Sequence, residues 1–156
     1  RILRLKENKK NGGTRMKTKE IIQAVQEIYD WLEDQVRQMD PICSACGKCC
    51  DFEHFGHRLY ITTAELLYFM KKVGPSIMPM NTGICPYNQA GRCTVYVYRF
   101  SGCRVYNCQG DSAQQSMLSE QAQKNFKRIC VQYEIPYEYM DLKRALNTPD
   151  WPIKED

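Results

Sequence analysis

The chain has 156 residues, 43% of them apolar, with a formal net charge of +4 and nine cysteines. That length and composition fit one domain with a single modest core. The charge is no footprint for nucleic acid: residues 1–15 hold six Lys/Arg (Arg1, Arg4, Lys6, Lys9, Lys10, Arg15) against Glu7, a surplus of +5 that leaves the remainder at −1.

The opening segment, RILRLKENKKNGGTR, lacks an initiating Met, contains Gly12-Gly13, and precedes Met16, where a helical pattern begins. We expect residues 1–15 to be a disordered basic tail or an upstream extension, and residues 16–156 to form one cysteine-cluster domain. No apolar run approaches membrane-spanning length and no signal-peptide pattern is present, so a cytoplasmic protein without membrane or nucleic-acid contacts is expected.

From Met16 to Met39 the apolar residues Ile21, Val25, Ile28, Leu32 and Val36 recur at helical spacing, and Asp40-Pro41 ends the pattern. A second helix is predicted from Thr62, whose hydroxyl can cap the first turn while Glu65 reaches back, and Gly74-Pro75 stops it. Between Gly74 and Cys108 the chain is punctuated by Gly, Pro and Asn, and only RCTVYVYR alternates as a short strand would. A third helix presents Leu118, Ala122, Phe126, Ile129 and Tyr133 on one face until Ile135-Pro136, and a short last helix is predicted over Tyr139–Leu146. The expected fold class is mainly α: a small helical domain around an irregular, cysteine-rich middle, with at most short strands.

Eight of the nine cysteines fall into two groups, Cys43, Cys46, Cys49 and Cys50, then Cys85, Cys93, Cys103 and Cys108. Thiols at this density in a reducing compartment point to metal rather than disulfides. Two-residue spacers let a tight turn aim flanking sulfurs at one centre, with Gly47 giving the backbone freedom to approach. Adjacent Cys49 and Cys50 tend to project apart, which suits two ions or a larger cluster better than one tetrahedral ion. A Cys-only zinc site is net negative and needs donors or cations nearby; Lys48, Arg92, Arg99 and Arg104 stand beside these cysteines in sequence. His54 and His57, the only histidines, could complete a mixed site, but the spacing does not match a nucleic-acid-binding finger, and a solvated or hydrogen-bonded role is the plainer reading of each. Cys130 lies beside the apolar stripe of the third helix and reads as a buried core thiol.

CSACGKCC resembles the CxxCxxCC signature of the YkgJ-type cysteine-cluster proteins, described as zinc- or iron-chelating domains. ICPYNQAGRCTVYVYRFSGCRVYNC is similar to the pattern of the same family's second half, LYITTAELLYFMKKV sits where that family places a helix, and YEIPYEYMDLKRAL looks like the tail of one subgroup. The resemblance spans roughly Ile42 to Leu146. It implies a metal or iron–sulfur centre held by Cys43, Cys46, Cys49, Cys50, Cys85, Cys93, Cys103 and Cys108, and implies no settled reaction. Where the family has Arg-Pro, this chain has Arg99-Phe100, which predicts a less rigid turn before Cys103.

Two readings use the same ligands. In the first, Cys43, Cys46 and Cys49 grip three irons in ferredoxin-like spacing and Cys103 or Cys108 takes the fourth, giving a redox protein with a redox or protein partner. In the second, zinc in closed Cys₄ sites staples loops of an interaction scaffold. A metal-dependent enzyme is a third class; Asp51, Glu53 and His54 are the available groups, and nothing else in the sequence organises a substrate pocket.

Overall fold

The computed structural model describes residues 2–44, 46–75 and 77–148, with side chains described from Lys17 onward. These residues form a mainly helical fold of six α-helices and two short antiparallel strand pairs.

Helix α1 runs Ile2–Gln38 and contains the helix predicted from Met16. Arg, Leu, Lys and Glu are good helix formers, and Gly12-Gly13, at roughly 1 kcal/mol each, does not outweigh them. The basic side chains of residues 1–15 lie outside the described residues. At the other end Asp40 adopts φ 47° before Pro41, which turns the chain out of the helix as predicted.

After the first cysteine segment come α2 (Phe52–Phe55), β1 (Tyr60–Thr62) and α3 (Thr63–Val73). The predicted capping box is present: Thr62 Oγ1 accepts from the Glu65 amide at 3.3 Å, and Glu65 Oε2 accepts from the Thr62 amide at 2.9 Å. Strands β2 (Asn88–Gln89) and β3 (Arg92–Cys93) form a minimal hairpin, and α4 spans Ser101–Val105. The strand expected over RCTVYVYR is therefore only two residues long. Beyond Cys93 the Tyr/Val alternation has no partner strand to pair with, and Tyr96–Tyr98 closes instead into a single 3₁₀ turn.

Helix α5 (Ser112–Gln132) buries Ala122, Phe126, Ile129 and Cys130, the predicted face and the predicted core thiol. The last predicted helix begins later than expected. Tyr139–Asp141 is strand β4, antiparallel to β1 in the register Ile61 opposite Met140, and only Leu142–Asn147 is helical, as α6. Asp141 accepts from the Lys143 amide at 2.9 Å and so starts that helix where the strand ends.

The core has two parts that share α3. One face of α3 gives Ala64, Leu67 and Tyr68 to a cluster with Ile21, Val25, Tyr29 and Leu32 of α1 and Phe126 of α5. The other gives Leu66 and Phe69 to a cluster with Ile61, Phe100, Met140 and Leu142. An 11-residue helix is marginal alone, and burial on both faces, at about 1.5–3 kcal/mol for each large side chain, is what holds α3.

Tyr29 sits where α1, α3, α4 and α5 meet. Its ring is edge-on to Tyr68 at 5.1 Å and to Phe126 at 5.9 Å, the Arg104 guanidinium lies over it at 4.1 Å, and its hydroxyl donates to Glu65 at 3.4 Å. Glu65 also accepts from the Ser101 amide at 2.8 Å. Thr62→Ala removes the cap and one donor to this buried carboxylate, and is expected to cost about 1–2 kcal/mol. Urea unfolding reads this as a lower midpoint with unchanged slope. An unchanged midpoint would mean that the capping box does not stabilise α3.

Candidate metal centre

In the first cysteine segment, after α1, Cys43 and Cys46 are exposed. Gly47, at φ 71°, then opens a 3₁₀ turn over Lys48–Cys50, closed by the Cys50 amide on Gly47 O at 3.1 Å. Asp51 is spent on structure: its carboxylate accepts from the His54 amide at 2.9 Å and caps α2.

Backbone bonds stitch the second group to this turn. The Cys85 amide donates to Cys50 O at 2.8 Å, the Phe52 amide donates to Gly83 O at 2.9 Å, and Asp51 faces Ile84 as an isolated bridge. Hairpin β2–β3 turns through Ala90-Gly91, both at positive φ (51° and 77°), as two-residue hairpins do, and sets Asn88 opposite Cys93. Its tip packs on Gly47 so closely that a Cβ on Gly47 would lie 2.7 Å from Gly91 Cα, and Asn88 Nδ2 donates to Gly47 O at 3.3 Å. Cys103 arrives on α4, whose first amide is the one held by Glu65.

The thiols act on one another. The hydrogen bond from the Cys50 thiol lowers Cys49 to about 6 against the opposing effect of burial, with lesser help from His57 and Arg99. Cys50 is raised far above its usual range as the donor of that bond, then by burial and by the charges of Cys49, Cys85 and Cys103. The vicinal pair thus shares one proton at neutral pH. Burial raises Cys85, and Cys93 and Cys49 add to it, while amides of Tyr87 and Asn88 donate to its sulfur and pull it down. Desolvation by the surrounding protein, then Cys85 and Cys93, push Cys103 up to about 12. Cys46 is lowered, first by the Lys48 amide donating to its sulfur and then by Ser44.

Of the eight predicted ligands, Cys49 lies near enough to raise Cys50, Cys85 and Cys103, and Cys93 near enough to raise Cys85 and Cys103. Cys46 adjoins them through the Gly47–Gly91 contact, its carbonyl oxygen lying 3.5 Å from where a Cβ on Gly91 would sit. Cys43 is exposed at the start of the segment, and Cys108 is exposed in the Asn107–Gly110 turn and is no leading cause of any of these shifts. Among the described residues, no group of three or more His, Cys, Asp or Glu side chains is placed to hold a metal ion.

The charged neighbours separate. Arg99 lowers both Cys49 and Cys103, while its guanidinium pairs with Glu33 at 3.2 Å and covers the Tyr96 ring at 3.8 Å. Arg104 is buried and structural, donating to Glu33 at 2.7 Å, to Val97 O at 2.9 Å and to Arg99 O at 2.8 Å. His57 has a role that spacing does not reveal: Nε2 donates to Cys49 O at 3.0 Å and the ring stacks on Tyr106 at 5.4 Å. Phe100 takes φ −71°, ψ 162°, the backbone a proline would impose, and its buried ring packs on Phe69 at 4.7 Å. The turn before Cys103 is thus held by packing instead of by a pyrrolidine.

Two measurements test this geometry. Gly47→Ala and Gly56→Ala both place a side chain at positive φ, at about 1–3 kcal/mol, but only at Gly47 does the Cβ meet backbone. Gly47→Ala is therefore expected to lower the unfolding midpoint further, and equal losses would show that the loop does not press on the hairpin. In metal-free protein, iodoacetamide at pH 7 is expected to alkylate Cys49 before Cys85 and Cys130, because a lowered pKa keeps the thiolate present above about 6. Its rate should fall as pH drops through that value, whereas a midpoint near the ordinary 9.0 would contradict the shared-proton pair.

No family model, curated protein or solved structure matches the chain, so its function is argued from these residues and their geometry.

Proposed function

We propose that this protein holds an iron–sulfur cluster through its two groups of cysteines and acts as an electron carrier or accessory in a redox reaction. The observation that carries this reading is that the backbone brings the segment of Cys49 and Cys50 against that of Cys85 and Cys93: the Cys85 amide donates to Cys50 O at 2.8 Å and the hairpin tip meets Gly47. A zinc ion takes four ligands in a tetrahedron. The cysteines of the two groups outnumber one such shell, and a vicinal pair serves two metal ions of one polynuclear centre more naturally than one ion.

The chain's own groups suit thiolate ligands. Amides of Lys48, Tyr87 and Asn88 already donate to the sulfurs of Cys46 and Cys85, and bonds of this kind stabilise thiolates and tune cluster potentials. His57 fixes the Cys49 carbonyl, and Arg99 supplies positive charge against the negative charge of several thiolates. When bound, the cluster supplies one-electron chemistry. Cys43 and Cys108, exposed at either end of the two groups, are the remaining ligands, and the sequence resemblance to zinc- or iron-chelating cysteine-cluster proteins points the same way.

A structural zinc site is the second reading. It is favoured by the sparse regular structure of the Gly74–Cys108 region, where a metal staple supplies stability that two-residue strands do not. A hydrolytic centre is less well supported, because Asp51 is committed to capping α2 and the His54 ring lies edge-on to Phe55 at 4.9 Å.

Anaerobic purification of the full chain, followed by metal and acid-labile sulfide analysis and a visible spectrum, decides between them. Iron and sulfide with broad visible absorption are expected. Colourless protein with stoichiometric zinc overturns the redox reading in favour of the scaffold, and protein without either metal overturns both.

A further inference from the structure

Between α2, the segment from Met80 to Gly83 and the start of α6 lies a cleft of about 440 Å³. Small-molecule sites usually enclose roughly 300–1,000 Å³. The apolar part of the lining is Phe52, Leu59, Met80 and Leu142, of which Met80 and Leu142 are buried. This surface is built without a ligand. The Met80 amide donates to Asn147 Oδ1 at 2.8 Å, Asn147 Nδ2 donates back to Met80 O at 2.9 Å, and the Phe52 amide donates to Gly83 O at 2.9 Å.

The charged groups on the cleft are unevenly committed. The Leu142 amide donates to Leu59 O at 2.8 Å, which continues the β1–β4 pairing by one step. One residue beyond that bond on the two segments stand Arg58 and Lys143, both exposed and both on the cleft. Neither side chain makes an ion pair or hydrogen bond among the described residues. Like charges brought together across paired segments repel, and an anion between them removes that cost. Of the two acids on the cleft, Asp141 is committed to the Lys143 amide at 2.9 Å. Glu53 lies along the Gly83 wall, where a Cβ on Gly83 would come 2.7 Å from Glu53 Oε2.

Two unpaired cations beside a preformed apolar surface select an anion that carries an apolar body. The Glu53 carboxylate on the same cleft disfavours a head group with a second negative charge, such as phosphate. Independently of the metal-centre reading, we propose that this cleft binds a small organic monocarboxylate: Arg58 and Lys143 hold the carboxylate, and Phe52, Leu59, Met80 and Leu142 cover an aryl or alkyl body.

Isothermal titration calorimetry on the purified full chain tests this with 3-phenylpropionate, acetate and inorganic phosphate as probes. 3-Phenylpropionate is expected to bind saturably in the millimolar range that its size allows, whereas acetate, which lacks the body, and phosphate, which adds a charge, are not. Arg58→Gln and Lys143→Gln should each weaken binding about 3-fold, and the double variant about 10-fold. Both positions are exposed, so the fold is expected to survive, as circular dichroism would show. Lys124→Gln removes the same charge from an exposed position on α5 and should leave the affinity unchanged. Absence of 3-phenylpropionate binding overturns the proposal. Acetate or phosphate binding as tightly as 3-phenylpropionate reduces the cleft to surface cations and overturns it too, as does parental affinity in the double variant or an equal loss in Lys124→Gln.

Discussion

The carboxylate of Glu65 is the constraint on which the rest of the architecture depends. It is 1% exposed and accepts from the Thr62 amide and hydroxyl, the Tyr29 hydroxyl and the Ser101 amide. A buried carboxylate left without such donors costs several kcal/mol, so the four bonds must form together or the core does not close. They come from α1, from the β1–α3 junction and from the first turn of α4. One side chain therefore sets the relative positions of the long helix, the central helix and the helix that carries Cys103.

A second polar knot extends that control to the irregular region. Arg104 is buried over Tyr29 and ties Glu33 of α1 to the carbonyls of Val97 and Arg99. A guanidinium in that position satisfies three acceptors in one plane, which a lysine cannot do. The segment between Tyr96 and Cys103 has no strand to hold it, yet its course is fixed by this side chain on one side and by the buried Phe100 ring on the other. The helical body thereby delivers Cys103 and Arg99 to the place where the CGKCC turn and the β2–β3 hairpin already meet.

Helix positions and the core were largely legible in the sequence because their causes are local. The stripe from Ile21 to Val36, the Thr62–Glu65 box and the face from Leu118 to Tyr133 each state their periodicity or cap within a few residues. The misread pieces depend on partners far along the chain. Tyr139–Asp141 is a strand only because Tyr60–Thr62 lies beside it, and TVYVY fails to be one because nothing does. The cysteine groups were visible by spacing, but which thiols converge was not, since that depends on Gly91 meeting Gly47 and on the Cys85 amide reaching Cys50. Asn88 had no signal in one dimension, and His57 was legible as a hydrogen-bonding residue but not by its partner; each acts through a carbonyl more than seven residues away.

The helical body and the cysteine-bearing segments are held by different means. Apolar burial and the Glu65 and Arg104 knots fix the helical body, while the cysteine-bearing segments are held by single backbone bonds, a two-residue hairpin and one pair of touching glycines. In the metal-free protein burial and neighbouring thiols raise Cys50, Cys85 and Cys103, so these groups hold their protons and little negative charge accumulates. A bound cation, on the proposed function, would take the place of those protons. The free energy of metal binding would then appear largely as order in the Gly74–Cys108 loops, coupling occupancy of the centre to the shape of the surface that a redox partner would meet.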